Sequence, residues 1–365
     1  MKIAVLLSGG VDSSVALRML KEEGHDLTAF YLKIWLEDEL ASIGDCPWED
    51  DLQYARSVCD QANIPLKILS LQREYWDIIV TYAIRELQAG RTPNSDVFCN
   101  RLIKFGAFYD KIDKSYQKIA SGHYAQLEES DGKIRLKVSP DPRKDQTYFL
   151  AYMEPYQLAR AVFPLGKFTK NEVRQLARKY DLPNKERKDS QGICFLGQIR
   201  YSEFVAHHLG EKPGDFIDIE TNQVVGAHKG YWFYTIGQRQ GLGLSGGPWY
   251  VVKKEVGNNR IFLSRNLHIR DKLNESFLVG DFNWINGEPP TKTELEVKVR
   301  HGAQRHLSTI KFLSDSEAEI SLKESDQGLA AGQFAVFYDS EYCLGGGIIR
   351  NPMVGSKFDS EPSGK

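Results

Sequence analysis

Along the first third of the chain, apolar positions alternate between short unbroken runs and runs spaced three to four apart. Lys2–Leu7 is an apolar run that stops at a glycine-rich turn, and Asp12–Glu23 follows with Val15, Leu17 and Leu20 on one helical face. Leu27–Ile34 reads as a second buried strand, Asp50–Asn63 as an amphipathic helix closed by Pro65, and Leu66–Leu69 as a third strand. Tyr75–Gln88 predicts another helix and Lys118–Ala120 another strand. Strands separated by helices of this length predict an α/β domain with a parallel sheet covered on both faces. Asp131-Gly132 marks a hairpin between Ala125–Leu127 and Ile134–Val138. Two more helices are expected, over Gln146–Val162 and Asn171–Tyr180, the second capped by Thr169.

After about residue 205 the texture changes. Glycines punctuate short β-rich runs at Phe216–Ile219, Tyr231–Thr235, Trp249–Lys254 and Ile261–Leu263, then from Glu294–Val299 through Cys343–Ile349; Asn258-Asn259 reads as a hairpin turn. Such spacing predicts small β-barrels rather than more α/β sheet. The expected division is 1–205, 206–275 and 276–355, with a loose polar tail at 356–365.

Composition narrows the classes. The 365 residues carry 47 Lys and Arg against 49 Asp and Glu, a net charge of −2, ordinary for a globular protein. No apolar run approaches the ~20 residues of a membrane span, and the apolar start is too short for a signal peptide, so a cytoplasmic protein without membrane contact is expected. Five scattered cysteines, Cys46, Cys59, Cys99, Cys194 and Cys343, argue against a disulfide framework and against a zinc ribbon. Charge is locally biased: seven acids and no Lys or Arg lie between Leu36 and Ala55, while residues 161–200 carry nine basic and four acidic side chains. The second stretch suits a polyanion and the first repels one, if both are exposed.

The segment Ser8-Gly9-Gly10-Val11-Asp12-Ser13-Ser14 joins the first strand to the first helix. Glycines admit a phosphate close to the backbone, the helix start supplies N–H donors, and Asp12 offers oxygen to Mg²⁺. Neither the Walker pattern nor the dinucleotide G-x-G-x-x-G is present. Asn94-Ser95-Asp96 reads as a helix start, so Asp96 is explained equally by capping. Cys99 is expected on the first helical turn, where the dipole favours thiolate, and three positions from Asp96; a buried structural thiol is the alternative. Cys194 sits between glycines in a basic stretch, which favours an accessible thiolate. Cys59 and Cys343 have the surroundings of packing residues.

The phosphate loop resembles that of the ATP pyrophosphatase superfamily. Together with Pro93–Asn100, Ser121-Gly122-His123-Tyr124-Ala125, Lys144-Asp145-Gln146, Gly192–Gly197, Ile236–Gly243 and Cys343–Ile349, it resembles the tRNA-specific 2-thiouridylase family. The resemblance implies an adenine-nucleotide α-hydrolase-like parallel-sheet domain, a central β domain and a C-terminal β-barrel. It implies ATP-dependent thiolation of the wobble uridine at C2 in tRNAs for Lys, Glu and Gln, with pyrophosphate and AMP released. ATP with Mg²⁺ is then held by Leu6, Leu7, Ser8, Gly9, Gly10, Val11, Asp12, Ser13, Leu32 and Gly122, with no permanent cofactor or resident metal.

Cys194 is implied as the persulfide carrier, Cys99 as nucleophile and Asp96 as general acid/base. Cys99 either attacks the adenylated base or frees hydrosulfide from the persulfide, and a transient Cys99–Cys194 disulfide forms. Contacts to tRNA are implied at Asn94, Ser95, Asp96, His123, Lys144, Asp145, Gln146, Arg300, His301 and Gln333. His123 has a structural histidine at a helix or strand end as its lesser alternative, and Asp145 could equally cap the next helix. The family pattern is altered at Ser95, Leu32, Arg300-His301 and Ala331-Gly332-Gln333. Implied partners are the anticodon stem-loop and a cysteine desulfurase or sulfur-relay protein, with a monomeric enzyme. Alternatives are a phosphate-loop ligase acting on a small substrate, a non-catalytic RNA-binding protein, or iron–sulfur ligation by Asp96, Cys99 and Cys194.

Overall fold

The computed structural model describes residues 1–34, 48–189, 200–266, 276–326 and 328–352. Cys46, Cys194 and the 192–197 motif lie outside these. Strands β1 (Lys2–Leu6), β2 (Asp26–Lys33), β3 (Leu66–Ser70) and β4 (Lys118–Ala120) form a parallel sheet with the two-residue strand Ala161–Val162, here β7. The order is β3-β2-β1-β4-β7. Because β1 is buried on both faces, it reads as an unbroken apolar run. On one face the helices Val11–Glu22, Trp48–Ala62 and Lys170–Lys179 bury Val15, Leu17, Leu52, Val58 and Val173 against Ile3 and Val5. On the other, Tyr75, Ile79, Ile103 and Phe108 pack with Ala4, Leu6 and Phe30. The chain turns from β1 to β2 on one side and reaches β4 on the other, so the crevice past the ends of β1 and β4 is a topological switch point, where open α/β sheets bind ligands.

The expected helix over Gln146–Val162 is two short ones, Thr147–Leu150 and Pro155–Arg160, followed by β7. Pro155 lacks the N–H that would continue the first and opens the second at its N-terminus. The helix Lys170–Lys179 has the predicted Thr169 cap: Thr169 Oγ1 accepts from Glu172 N (3.4 Å) and Thr169 N donates to Glu172 Oε2 (2.7 Å).

The hairpin β5 (Ala125–Ser130) and β6 (Lys133–Val138) turns at Asp131 (φ 54°) and Gly132 (φ 70°), as the sequence predicts. A smaller sheet contains β8 (Gly214–Asp218), β9 (Val224–His228), β10 (Tyr250–Glu255) and β11 (Arg260–Ser264), in the order β10-β11-β8-β9. The expected strand Tyr231–Thr235 is instead a single helical turn at Tyr231–Phe233. The last six strands, β12 (Ser276–Trp284), β13 (Glu294–Lys298), β14 (His306–Ser314), β15 (Glu317–Leu322), β16 (Phe334–Asp339) and β17 (Tyr342–Pro352), close on themselves through β12–β17 pairing. They enclose Phe277, Val297, Ile320 and Phe337. Unforeseen in the sequence, β6 pairs with β17 at Leu136–Cys343 and Lys137–Tyr342, so the first domain's hairpin extends the barrel's sheet.

Candidate active site

The phosphate loop follows β1 at the switch point. Gly9 has φ 76°, and a Cβ there would stand 2.1 Å from Asp51 O. Across the crevice, a Cβ on Gly122 would stand 2.8 Å from Ser13 N. Both positions therefore require glycine, for conformation at the first and for close approach at both. Ser13 Oγ and Ser14 Oγ donate to Gly10 O (3.1 and 2.9 Å). The buried Asn184 amide donates to Gly9 O (2.8 Å) and Ser14 Oγ (2.9 Å), and Arg187 also donates to Gly9 O (3.2 Å). The loop is thus held from behind, while the helix start leaves backbone donors for an anion. Arg187 also pairs with Asp51. The acidic and basic stretches seen in the sequence therefore neutralise each other in part at the loop, rather than presenting two separate surfaces. Leu32 is half-buried near the end of β2, where it pairs with Leu69.

Asp12 Oδ1 accepts from Tyr124 OH (2.9 Å) and from Lys170 Nζ (2.7 Å). Lys170 reaches Asp189 Oδ1 as well (2.8 Å), and Asp189 further receives Lys144 (2.6 Å) and Arg174. Burial works to raise the Asp189 carboxyl, yet the hydrogen bonds from Lys144 and Lys170 bring it down to about 2. Sequence reasoning gave Lys170, Arg174 and Asp189 no role. Their signal was the charge-rich stretch over 161–200, which as a whole suits a polyanion and singles out none of them.

The tripeptide Lys144-Asp145-Gln146 is a three-way junction. Lys144 holds Asp189, while Gln146 Oε1 accepts from Tyr124 N (3.0 Å). Asp145, 2 % exposed, binds Lys298 Nζ of the barrel (3.0 Å) and Thr147 Oγ1 (2.9 Å). The Asp145 side chain is therefore an internal tie and does not face an RNA surface. His123 is likewise buried, its Nδ1 2.7 Å from Ser121 Oγ, between Phe105 and Phe163. Burial, then Lys104, pushes it well below the usual histidine range, so it is neutral near pH 7.

A cavity of about 310 Å³ is lined by Pro93, Asn94, Ser95, Asp96, Phe149 and Gln333, among others. Residues some 240 positions apart meet here. Gln333 Nε2 donates to Thr92 O and Pro93 O (both 3.1 Å), and its Oε1 accepts from Asn94 Nδ2 (3.3 Å). His301 packs on Phe149 with ring centroids 4.5 Å apart, at the rim. Burial, then Lys298, lowers its pKa. Arg300 lies beyond, 3.5 Å from Asp326.

A helical run begins at Ser95 and passes through Cys99–Ala107, where the turns widen. Such widened turns recur at functional sites. Asp96 lines the cavity, but Cys99 is the fifth helical residue and only 2 % exposed, in a core with Tyr75, Val97 and Ile103. The expectation of a thiolate on the first turn is corrected: burial pushes the thiol up to about 11, with Asp96 adding to the rise against Lys104 and a Tyr75 hydrogen bond. The helix dipole is spent within the first turn and does not outweigh desolvation. Cys59 and Cys343 are buried, as their patterns predict, and burial raises both to about 12.

The description "tRNA methyl transferase HUP domain" belongs to the family model that matches residues 1–198. Models of a tRNA methyl transferase PRC-barrel domain and an aminomethyltransferase beta-barrel domain match 202–265 and 274–349. A tRNA-specific 2-thiouridylase MnmA of Parabacteroides distasonis is 43 % identical over 355 residues, 96 % of this chain and 99 % of that one. A tRNA-specific 2-thiouridylase MnmA 2 of Bacteroides fragilis is 44 % identical over 356 residues, 96 % of this chain and all of the other. A Porphyromonas gingivalis tRNA-specific 2-thiouridylase MnmA is 40 % identical over 359 residues, 96 % and 99 % of the two chains. The likeness spans the phosphate loop, the cavity and the barrel alike, and the chain belongs to the tRNA-specific 2-thiouridylase family.

Proposed function

We propose that this protein is a tRNA-uridine 2-sulfurtransferase that makes 2-thiouridine at the wobble position of tRNAs for Lys, Glu and Gln. The observation that carries the reading is the presence, beside the phosphate cradle of the first domain, of a cavity of about 310 Å³ lined by Asn94, Asp96 and Gln333 among apolar side chains, with Cys99 three residues beyond Asp96 on the same helical run. A carbonyl oxygen leaves poorly as it stands. Transfer of AMP from ATP to the uridine O2, with pyrophosphate released, makes it a good leaving group. The backbone at Ser8–Ser13, with Leu6, Leu7, Leu32 and Gly122, holds the nucleotide, and Asp12 supplies a hard oxygen for Mg²⁺.

Asn94, Ser95, Asp96 and Gln333 hold a uridine splayed from the anticodon loop, since its C2 is unreachable in a stack. Lys144, Gln146, Arg300 and His301 face the RNA around it. The terminal sulfur of a Cys194 persulfide attacks C2 and AMP departs with the oxygen. Cys99 thiolate then attacks the Cys194 sulfur, the S–S bond to the base breaks, and the thiocarbonyl is left on the base. In the second order of events Cys99 attacks the persulfide first, and the hydrosulfide it frees attacks C2. Either order closes a Cys99–Cys194 disulfide, which an external thiol reduces before the next cycle. Asp96 moves the proton. The persulfide sulfur comes from a cysteine desulfurase or relay protein. No described helix is long and apolar enough to cross a membrane; a monomer acting in the cytoplasm, divided near residues 205 and 275, completes the proposal.

The test is mass analysis of nucleosides from unmodified tRNA incubated with protein, Mg-ATP and a persulfide source. Wild type should form 2-thiouridine, and Cys99→Ser should not. Pyrophosphate release with a small acceptor but no thiolation would favour a ligase.

A further inference from the structure

The mechanism gives no part to the central β domain, yet half-buried Thr235 from that domain lines the same cavity as Asn94, Asp96 and Gln333. Two contacts fix the domain against the cavity wall. Tyr231 OH donates to Gln88 O, and Val256 packs so closely on Gly90 that no Cβ fits there. Both lie where the helix Thr81–Gln88 ends and the chain runs on into Thr92–Asp96. Thr235 itself is held through its main chain. Gln238 Oε1 accepts from Thr235 N (3.0 Å), Gln238 N donates to Thr235 O (3.0 Å), and the Gln238 amide donates to Gln240 O (2.9 Å). The loop is fastened to β10 as well: Gly237 N donates to Val251 O (2.8 Å), Val251 N to Gln238 O (3.0 Å), and Lys254 Nζ to Tyr234 O (3.0 Å). None of these bonds uses the Thr235 hydroxyl. The Ile236–Gly243 segment thus begins as a rigid mount, and the hydroxyl it carries is left to whatever fills the cavity.

We propose that Thr235 is a substrate-binding residue supplied by the central domain, its hydroxyl hydrogen-bonded to the N3–O4 edge of the splayed uracil. That edge is the one the chemistry leaves free, since C2 and its oxygen must stay open to AMP and to the incoming sulfur. A hydroxyl suits it because it can donate to O4 or accept from N3–H. A hydroxyl on a mount already ordered also loses little freedom on binding. Asn94, Thr235 and Gln333 come one from each of the three matched regions, so all three close on a single base. The inference rests on the reading of the cavity as the uridine site.

The test is fluorescence anisotropy with the full chain, a non-hydrolysable ATP analogue and a labelled, unmodified anticodon stem-loop that carries either uridine or an abasic residue at the wobble position. Wild type should bind the uridine form at least about fivefold more tightly, the scale of one held base. Thr235→Val, close to isosteric, should weaken the uridine form about threefold to tenfold, the loss of one neutral hydrogen bond, and leave the abasic form within about twofold. Thr235→Ser keeps the hydroxyl and should stay within about twofold of wild type on both. Wild type that binds the two forms equally defeats the uridine-site reading itself. With the wild-type preference intact, the contact is overturned if Thr235→Val keeps that preference in full or weakens both forms alike. A thermal melt accompanies each variant, and should Thr235→Val melt well below wild type, Thr235→Ala replaces it under the same criteria, the abasic form again separating contact with the base from damage to the wall.

Discussion

In the proposed mechanism Cys99 must be uncovered before it acts, and its chemistry in the resting protein measures how far. Burial raises its pKa from 9.0 to about 11. At pH 8 a thiol at the ordinary value is about 10 % thiolate, and one at 11 about 0.1 %, a difference of roughly 100-fold or about 2.7 kcal/mol. Alkylation goes through the thiolate, so iodoacetamide should label Cys99 at least about 100-fold more slowly in the folded protein than in the urea-unfolded chain. The 2 % exposure slows it further. Quantifying the Cys99 peptide by mass spectrometry from pH 7 to pH 10 gives the profile. The rate should keep rising tenfold per unit, with no plateau below pH 10. Adding tRNA with a non-hydrolysable ATP analogue should accelerate labelling, because the base pocket and the thiol share the run that begins at Ser95. A plateau below pH 9, or resting labelling within threefold of the unfolded chain, would refute the argument from burial.

Gly9→Ala forces a Cβ to 2.1 Å from Asp51 O at φ 76°; expected are a loss of ATP binding by calorimetry and destabilisation of about 1–3 kcal/mol, with tRNA affinity retained. Lys298→Met strands Asp145 as a buried unpaired charge and should cost about 3–5 kcal/mol, while Lys298→Met combined with Asp145→Asn should recover most of it in a denaturant melt. Equal melting of single and double variants would contradict the pairing. Asp189 titrates at about 2 when folded and near 3.8 when unfolded, so it contributes roughly 2 kcal/mol above pH 4. That contribution fades as pH falls from 4 toward 2, and the melting difference between wild type and Asp189→Asn should narrow over the same window.

The βαβ order, the Asp131-Gly132 hairpin, the Thr169 cap and the phosphate loop are all local patterns, and the sequence displays them directly. The helix expected over Gln146–Val162 overlooked a legible signal, since Pro155 interrupts it. Cys99 also carried a signal: Val97, Ile103 and Phe105 surround it with apolar positions, and they outweigh proximity to a helix start. What no local pattern held was partnership at distance. Gln333 reached the cavity wall through family resemblance alone, because nothing in its neighbours encodes a bond to Pro93. The basic stretch looked available to RNA, yet Lys170, Arg174 and Arg187 are engaged by Asp12, Asp189 and Asp51. Charge composition records signs, and only the fold assigns partners.

The pairing of β6 with β17 also bears on how the protein is made. About two hundred residues separate the two strands, so a ribosome adding roughly 5–20 residues per second leaves β6 without that neighbour for some 10–40 s. During that interval the hairpin presents an open edge on the emerging chain. Lys133, Arg135 and Lys137 alternate along β6, and such charges deter edge-to-edge association. Once β17 arrives, Lys137 pairs with Glu341 in the turn that precedes it. The same lysine thus guards the nascent edge and then helps fasten the finished one, which makes a chain shortened before Tyr342 a candidate for aggregation during synthesis rather than for simple loss of activity.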